Sequence, residues 1–160
     1  MTIQAGDRIP SATLLKATPE GPQPVDTDSF FAGRKVALFA VPGAFTPTCS
    51  ARHLPGFVEK ADALSSKGID EVACVSVNDA FVLQAWARDA GAEGKVTMLA
   101  DGNGDFSKAL GLTMDASKFG MGIRAQRFSA IVEDGVVGQL NVEEPGAFSV
   151  SSAEYMLGQL

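Results

Sequence analysis

The sequence is poor in the side chains that most often build metal sites and hydrolytic triads. Its 160 residues include one histidine and two cysteines. These three side chains fall short of the four ligands of a structural zinc site. The two cysteines, Cys49 and Cys74, are too far apart in the chain for a Cys-x-x-Cys disulfide reductase motif. We therefore expect neither a bound metal nor a cofactor.

Basic residues and long apolar runs are also scarce. The chain has 13 Lys and Arg against 19 Asp and Glu, a net charge of −6, and no three basic residues in succession. This balance argues against nucleic acid and anionic membranes as partners. No uncharged apolar run approaches the ~18 residues of a membrane span, and the first ten residues lack the pattern of a secretory signal. We expect a cytoplasmic protein whose cysteines are free thiols.

The apolar residues that are present predict one α/β domain spanning residues 1–160. Apolar runs indicate buried strands at 35–41, 71–77 and 96–100, and the Asp134-Gly135 turn predicts a hairpin of 128–132 with 136–142. Helical spacing predicts helices at 46–67, from a cap at Asn78 or Asp79 to Gly91, at 106–110 and from 151 or 152 onwards. The second of these should carry Phe81, Val82, Ala85 and Trp86 on one apolar face. Residues 9–26 predict an irregular segment with one short edge strand. The order β-α-β-α-β-α followed by β-β-α gives a mixed central sheet flanked by helices.

The loop after the first buried strand carries the best candidate nucleophile. It contains Pro42 and Gly43 at the turn and Pro47, which suits a first helical turn, and Cys49 falls within the next turn. Unpaired N–H groups and the dipole at a helix start both favour the thiolate form of such a cysteine. Thr46 lies three residues earlier, so we expect its hydroxyl within reach of the sulfur or of an oxygen bound to it.

His53 follows Cys49 by four residues and is expected to face it across one turn. A cysteine-histidine hydrolase is one interpretation of this pair. Such enzymes draw their base from a distant part of the chain, and no second histidine exists. A hydrogen-bonded supporting role for His53 is therefore favoured. Arg124 and Arg127 precede the hairpin; beside a thiolate, an arginine would stabilise its charge and hold a substrate oxygen.

These motifs together resemble the peroxiredoxins. The likeness rests on the string PGAFTPTCSARHLPGFVEKADAL, on VACVSVNDAFV and on the segment Gln126 to Phe128. It is nearest to the type II branch, which includes peroxiredoxin five, and runs from about Gly6 to the end. The resemblance implies a thioredoxin-like fold and a thiol peroxidase that reduces hydrogen peroxide and organic hydroperoxides through a cysteine sulfenic acid.

Four residues of this chain match the family's active site. Cys49 matches the peroxidatic cysteine, Thr46 the hydroxyl donor, Pro42 the residue that shields the site, and Arg127 the active-site arginine. Arg124 is a weaker match, and no catalytic role is assigned to it. The resemblance also implies a homodimer packed around the active site, with Phe45 and Phe119 as candidate contacts.

The resolving step is the point where the chain departs from part of the family. Some members carry a resolving cysteine near the C-terminus, but residues 147–152 contain none. Cys74 matches a cysteine that resolves the sulfenic acid in some type II members and is a bystander in others. Glutathione, a glutaredoxin or thioredoxin is the alternative reductant. A redox sensor that uses Cys49 oxidation as a signal without turnover remains the competing function.

Overall fold

The computed structural model describes residues 2–160 and contains a seven-stranded sheet and a separate two-stranded ribbon. The strands of the large sheet are ordered β2-β1-β5-β4-β3-β8-β9. The strands are β1 (Thr13–Lys16), β2 (Gln23–Asp26), β3 (Lys35–Val41), β4 (Glu71–Ser76), β5 (Thr97–Ala100), β6 (Thr113–Asp115), β7 (Ile123–Ala125), β8 (Phe128–Glu133) and β9 (Val136–Val142). The helices are α1 (Thr27–Phe31), α2 (Leu54–Ser66), α3 (Ala80–Asp89), α4 (Asp105–Leu110) and α5 (Ala153–Gln159).

The centre of the sheet is apolar on both faces because helices cover both. β3 pairs in parallel with β4 and antiparallel with β8, and β4 pairs in parallel with β5. Side chains of α2, α3 and α5 pack on one face, and those of α1 and α4 pack on the other. This double cover explains why β3 reads as an unbroken apolar run. The predicted mixed sheet flanked by helices is confirmed.

The parallel strands end at the same edge of the sheet. Val41, Ser76 and Ala100 are the last residues of β3, β4 and β5. Polar groups that follow such strand ends converge in space, which makes this edge the expected place for a site. The hairpin of β8 and β9 forms around Asp134 and Gly135, both with positive φ, as the sequence predicts. It brings Arg127, the residue before β8, to the same edge beside β3.

Several local predictions were wrong. Residues 9–26 hold two paired strands, β1 and β2, because the second strand also gains backbone hydrogen bonds from the first. The ribbon of β6 and β7 and the helix α1 were missed, since these segments are too short for a periodic signal.

The buried face of α3 also differs from the prediction. The residues expected to face inwards included Phe81, yet its side chain is 71% exposed. The buried residues of α3 are Ala80, Leu83, Trp86 and Ala87. The predicted and the observed sets of buried residues both recur at helical spacing. Only packing against the sheet decides how the helix is rotated about its axis.

Of the two starts predicted for α5, at Ser151 and at Ser152, the structure has the second. Ser152 caps the helix by accepting a hydrogen bond from the Tyr155 N–H at 3.1 Å. Ser151, the other candidate cap, donates its hydroxyl to Glu143 instead. Over residues 2–160, every helix is too short or too polar to cross a membrane.

Candidate active site

The loop after β3 is held by contacts from two other segments. The Pro42 carbonyl accepts a hydrogen bond from Arg124 Nη1 at 3.4 Å, and the Ala44 N–H donates to Asn78 Oδ1 at 3.0 Å. Phe45 adopts a φ of 63°, which is unfavourable for a bulky residue. Such strain persists only where neighbouring contacts fix the backbone, and it is frequent at functional sites.

Gly43 is closely packed in this loop. A Cβ atom at this position would lie 3.1 Å from the Met121 side chain and 3.2 Å from the side chains of Arg124 and Thr46. A larger residue would push these groups apart. The glycine therefore lets the loop fold tightly against the segment that carries Arg124.

The helix that follows contains a π turn at the candidate nucleophile. Its helical residues begin at Pro47, and Cys49–His53 form the π turn before α2. The Leu54 N–H donates to the Cys49 carbonyl, five residues back. Pro55 has no N–H to continue an α-helical ladder, so a local change of register suits this position. The single helix predicted for 46–67 is thus confirmed in extent, with a π turn inside it.

Cys49 is buried and paired with a cation. Its side chain has 0% solvent exposure, and Arg127 Nη2 donates to its Sγ at 3.0 Å. A guanidinium at this distance stabilises negative charge that develops on the sulfur. Since Cys49 lies in the first helical turn, backbone N–H groups without intrahelical partners add to this effect. The structure therefore places the predicted nucleophile and the predicted arginine in direct contact.

His53 supports the same arginine from behind. Arg127 Nη1 lies 2.8 Å from His53 Nδ1, and His53 Nε2 lies 2.9 Å from the Ser151 carbonyl oxygen. Arginine is always a donor, so Nδ1 must accept, and the imidazole proton then resides on Nε2 and is donated to Ser151. His53 does not bond to the sulfur. The supporting role predicted for His53 agrees with this geometry, whereas a general base would face the nucleophile itself.

The surroundings of His53 keep it neutral. The ring is fully buried, with the rings of Phe39, Phe148 and Phe57 at centroid distances of 4.8, 5.0 and 5.7 Å. Burial, and then the positive charge of Arg127, lower the pKa of His53 to about 3, against the opposing effect of the hydrogen bond to Ser151. A neutral imidazole leaves the positive charge of the guanidinium available to the sulfur.

Thr46 and Pro42 lie at the site without contacting the sulfur by hydrogen bonds. Thr46 Oγ1 donates to the Gly43 carbonyl at 2.6 Å, and the described contacts include no bond from this hydroxyl to Cys49. The lone pairs of Thr46 Oγ1 remain free to accept a hydrogen bond from a ligand. Arg124 also donates to the Met121 carbonyl at 2.8 Å and thus serves the loop, consistent with its having no assigned catalytic role.

Cys74 lies within the core near Cys49. It is fully buried in the middle of β4 and pairs with Phe39 of β3. Both cysteines are free thiols and belong to the same buried cluster. Burial, together with the charge of the nearby Cys49, raises the pKa of Cys74 well above its usual range, although Arg127 opposes this. In the folded state, Cys74 is therefore a protonated thiol.

The segment between β9 and α5 is the part of the site that sequence reasoning missed. Phe148 packs on His53, and the Ser151 carbonyl accepts a hydrogen bond from the His53 Nε2–H. Asn78 was seen only as a candidate helix cap, yet it anchors the loop at Ala44. These contacts are made by a backbone carbonyl, a ring and an amide with no motif of their own, so spacing in the sequence carries no signal for them.

Curated proteins with related sequences cover nearly the whole chain. Residues 4–157 match the Redoxin family model. "Peroxiredoxin-2E, chloroplastic" of Arabidopsis thaliana is 51% identical over 163 residues, which span 99% of this chain and 70% of the relative. Peroxiredoxin-2B of the same plant is 45% identical and spans 99% of this chain and 98% of its own.

Solved structures share the architecture as well. Reduced Prx3 of Vibrio vulnificus in complex with hydrogen peroxide is 52% identical, with a TM-score of 0.95 and 99% of each chain covered. Peroxiredoxin 5 of Alvinella pompejana is 32% identical, with a TM-score of 0.85 over 97% of this chain and 96% of that one. The predicted thioredoxin-like fold is confirmed by these similarities.

The buried neutral imidazole predicts a specific pH dependence of stability. His53 titrates near 6.5 when unfolded but near 3 when folded, so between these values the unfolded chain binds one more proton. The free energy of unfolding should therefore fall as pH decreases through this window, by about 1.3 kcal/mol between pH 7 and 5.5. Urea unfolding at the two pH values measures this loss. His53→Gln, which cannot titrate, is the control, and an equal loss in both proteins would contradict the assignment.

Proposed function

This chain belongs to the peroxiredoxins of the redoxin family, which are thiol-dependent peroxidases, and we propose that Cys49 is its peroxidatic cysteine. The observation that carries the proposal is the contact of 3.0 Å between Arg127 Nη2 and the buried Cys49 Sγ. A sulfur with no solvent exposure can carry negative charge only if the protein replaces the lost water. Arg127 and the N–H groups of the first helical turn provide that replacement.

The reaction follows from this arrangement. The Cys49 thiolate attacks the terminal oxygen of a hydroperoxide, and the new S–O bond forms as the O–O bond breaks. The departing oxygen takes up one proton and leaves as an alcohol or water, and the sulfur becomes a sulfenic acid. Charge moves from the sulfur to the leaving oxygen, and the guanidinium of Arg127 is placed to stabilise it at both positions.

Thr46 and Pro42 complete the proposed site. Because the Thr46 hydroxyl gives its proton to Gly43, its oxygen is the acceptor for the O–H of the incoming peroxide. This differs from the donor role expected from the family resemblance. Pro42 lies half-buried at the start of the loop, where its ring shields the site from water. Hydrogen peroxide and organic hydroperoxides are the proposed substrates.

The thiol that reduces the sulfenic acid is proposed to come from one of two sources. Peroxiredoxins use thiol reductants, here glutathione with a glutaredoxin, or thioredoxin. Cys74 is the internal candidate for resolution, but a disulfide needs Cα atoms within about 7 Å and a thiolate to attack. The first turn around Cys49 would have to unwind for Cys74 to act.

We also propose that the protein works in a reducing compartment, the cytoplasm. The two free thiols support this, and cell fractionation would check it.

Two substitutions test the peroxidase chemistry. Cys49→Ser should abolish peroxide turnover. Arg127→Lys keeps the charge but loses the two separate nitrogens that contact Cys49 and His53, so kcat/KM for hydrogen peroxide should fall by about 10²- to 10³-fold. The measurement is peroxide-dependent oxidation of a thioredoxin or glutaredoxin system. Arg88→Lys, an exposed position on α3, is the matched control. Turnover by Cys49→Ser would overturn the assignment, and oxidation without turnover in the wild type would favour a sensor.

The resolving role of Cys74 has its own test. If Cys74 resolves, one equivalent of peroxide should yield a Cys49–Cys74 disulfide by mass spectrometry, and Cys74→Ser should accumulate the sulfenic acid. Trp86 is the single tryptophan, and its Nε1–H donates to Ser50 Oγ at 2.9 Å. Unwinding at Cys49 should break this bond and change the tryptophan emission. Absence of the disulfide under all conditions would assign resolution to an external thiol.

A homodimer is proposed on the side of the molecule that carries the site. Phe45 and Phe119 are 51% and 72% exposed, so both rings are available for contact with a partner. Light scattering should give a dimer mass for the wild type and a lower mass for a Phe45→Ser/Phe119→Ser variant at the same concentration. A monomeric wild type would refute the dimer. Leu15→Ser, another exposed apolar position, is the control.

A further inference from the structure

A buried carboxylate outside the proposed chemistry lies beneath the turn between β9 and α5. Glu143 is only 7% exposed. Its Oε2 accepts hydrogen bonds from the N–H groups of Ser149 and Ser151, at 2.7 and 2.8 Å, and from the Ser151 hydroxyl at 2.7 Å. Three donors on one oxygen fix the path of the chain through this turn. A buried carboxylate with this many partners is costly to remove, because each donor would lose its acceptor.

The carboxylate is held in its charged form. Burial acts to raise the pKa of Glu143, but the hydrogen bonds from the Ser151 hydroxyl and from the backbone of 149–151 outweigh it, so the pKa lies below its ordinary value. At neutral pH the group is therefore an acceptor only. Charge-assisted bonds of this kind are stronger than bonds between neutral groups, which makes the turn a rigid support.

The turn reaches the active site through His53. Ser151 is held in place by the hydrogen bonds that its N–H and its hydroxyl donate to Glu143. Its carbonyl oxygen accepts a hydrogen bond from His53 Nε2, 2.9 Å away. Phe148, at the start of the same turn, packs its ring 5.0 Å from the imidazole and 5.9 Å from the Arg127 guanidinium. Both contacts fix how His53 presents Nδ1 to the arginine.

A second connection runs through the backbone. The Glu143 N–H donates to the Arg127 carbonyl at 3.0 Å. The main chain of Glu143 thus contacts the residue that carries the guanidinium, while its side chain holds the turn that supports the imidazole. A continuous set of hydrogen bonds leads from the carboxylate to the Cys49 sulfur by way of Ser151, His53 and Arg127.

From these contacts we propose that Glu143 is a positioning residue for the peroxide reaction: its carboxylate fixes the Ser151 carbonyl, which sets the tautomer and orientation of His53 and thereby aims Arg127 at Cys49. The proposal rests on the function proposed for Cys49. Without the carboxylate, the carbonyl is no longer fixed, and the imidazole loses the partner that keeps its proton on Nε2. A guanidinium displaced by about 1 Å would stabilise the leaving oxygen less well.

The experiment compares three substitutions at one position with a neighbouring control. Glu143→Ala removes the acceptor, Glu143→Gln keeps an acceptor oxygen in place without the charge, and Glu143→Asp keeps the charge on a shorter side chain. Glu144→Ala is the control because Glu144 is exposed and its side chain makes none of these contacts. Two quantities are measured: the rate constant of Cys49 with hydrogen peroxide, and the NMR resonance of the His53 Nε2 proton, which belongs to the only histidine.

The size of the effect should depend on which group replaces the carboxylate. Glu143→Ala should react about tenfold more slowly or worse, and its Nε2 proton should exchange rapidly with water. Glu143→Gln should bring both the reaction rate and the exchange rate of the Nε2 proton to within about threefold of the wild type, since neutral acceptors also bind N–H groups. A role in stability alone would lower the melting temperature without moving the His53 resonance. Glu144→Ala should match the wild type.

Other results would contradict the role of Glu143. A folded Glu143→Ala protein that keeps the wild-type rate, or the wild-type His53 resonance, overturns the proposal. If Glu143→Ala does not fold, Glu143→Asp is judged by the same two measurements and the same criterion. If the wild-type Cys49 does not react with peroxide, the proposed function fails, while the His53 resonance still decides whether Glu143 positions the ring.

Discussion

The proposed reaction depends on placing negative charge on a sulfur inside the protein. Cys49 has no solvent exposure, so fixed donors have to replace water in stabilising any charge on its sulfur. The guanidinium of Arg127 supplies two of its N–H groups along one edge, one to the sulfur and one to His53. A lysine lacks this edge, because its three N–H donors radiate from one nitrogen and do not match two acceptors held by separate nitrogens of a planar group. The residues around the pair are best understood as the means of holding that edge in place.

The neutral state of His53 is part of the same constraint. A protonated imidazole would repel Arg127 and could not accept its hydrogen bond, so the low pKa of His53 is what allows the contact. Aromatic rings exclude water around the imidazole, and the Ser151 carbonyl accepts a hydrogen bond from its Nε2–H. The second partner of the guanidinium in the site is the Cys49 sulfur. Stability and reactivity here share a cause, since the burial that fixes the histidine also directs the arginine.

The chemistry-bearing residues were predictable from sequence because their signals are local. A cysteine in a polar turn after an apolar strand marks a helix start, and Pro42, Thr46 and Cys49 lie within eight residues of one another. Strands β3, β4, β8 and β9 also followed from apolar runs and the Asp134-Gly135 turn. The rotation of α3, the cap of α5 and the β6–β7 ribbon were not predictable, because each depends on which surface a segment meets after folding rather than on its own pattern.

The amino-acid sequence by itself determined the family, the buried sheet and the candidate nucleophile, since these follow from residue types at short spacing. Only the tertiary structure decided what Arg127 touches, which nitrogen of His53 carries the proton and why Glu143 is buried. These residues lie in the π turn before α2, directly before β8 and directly after β9. Their hydrogen bonds join atoms that are distant along the chain, and such contacts exist only once the sheet and its helices have brought the segments together.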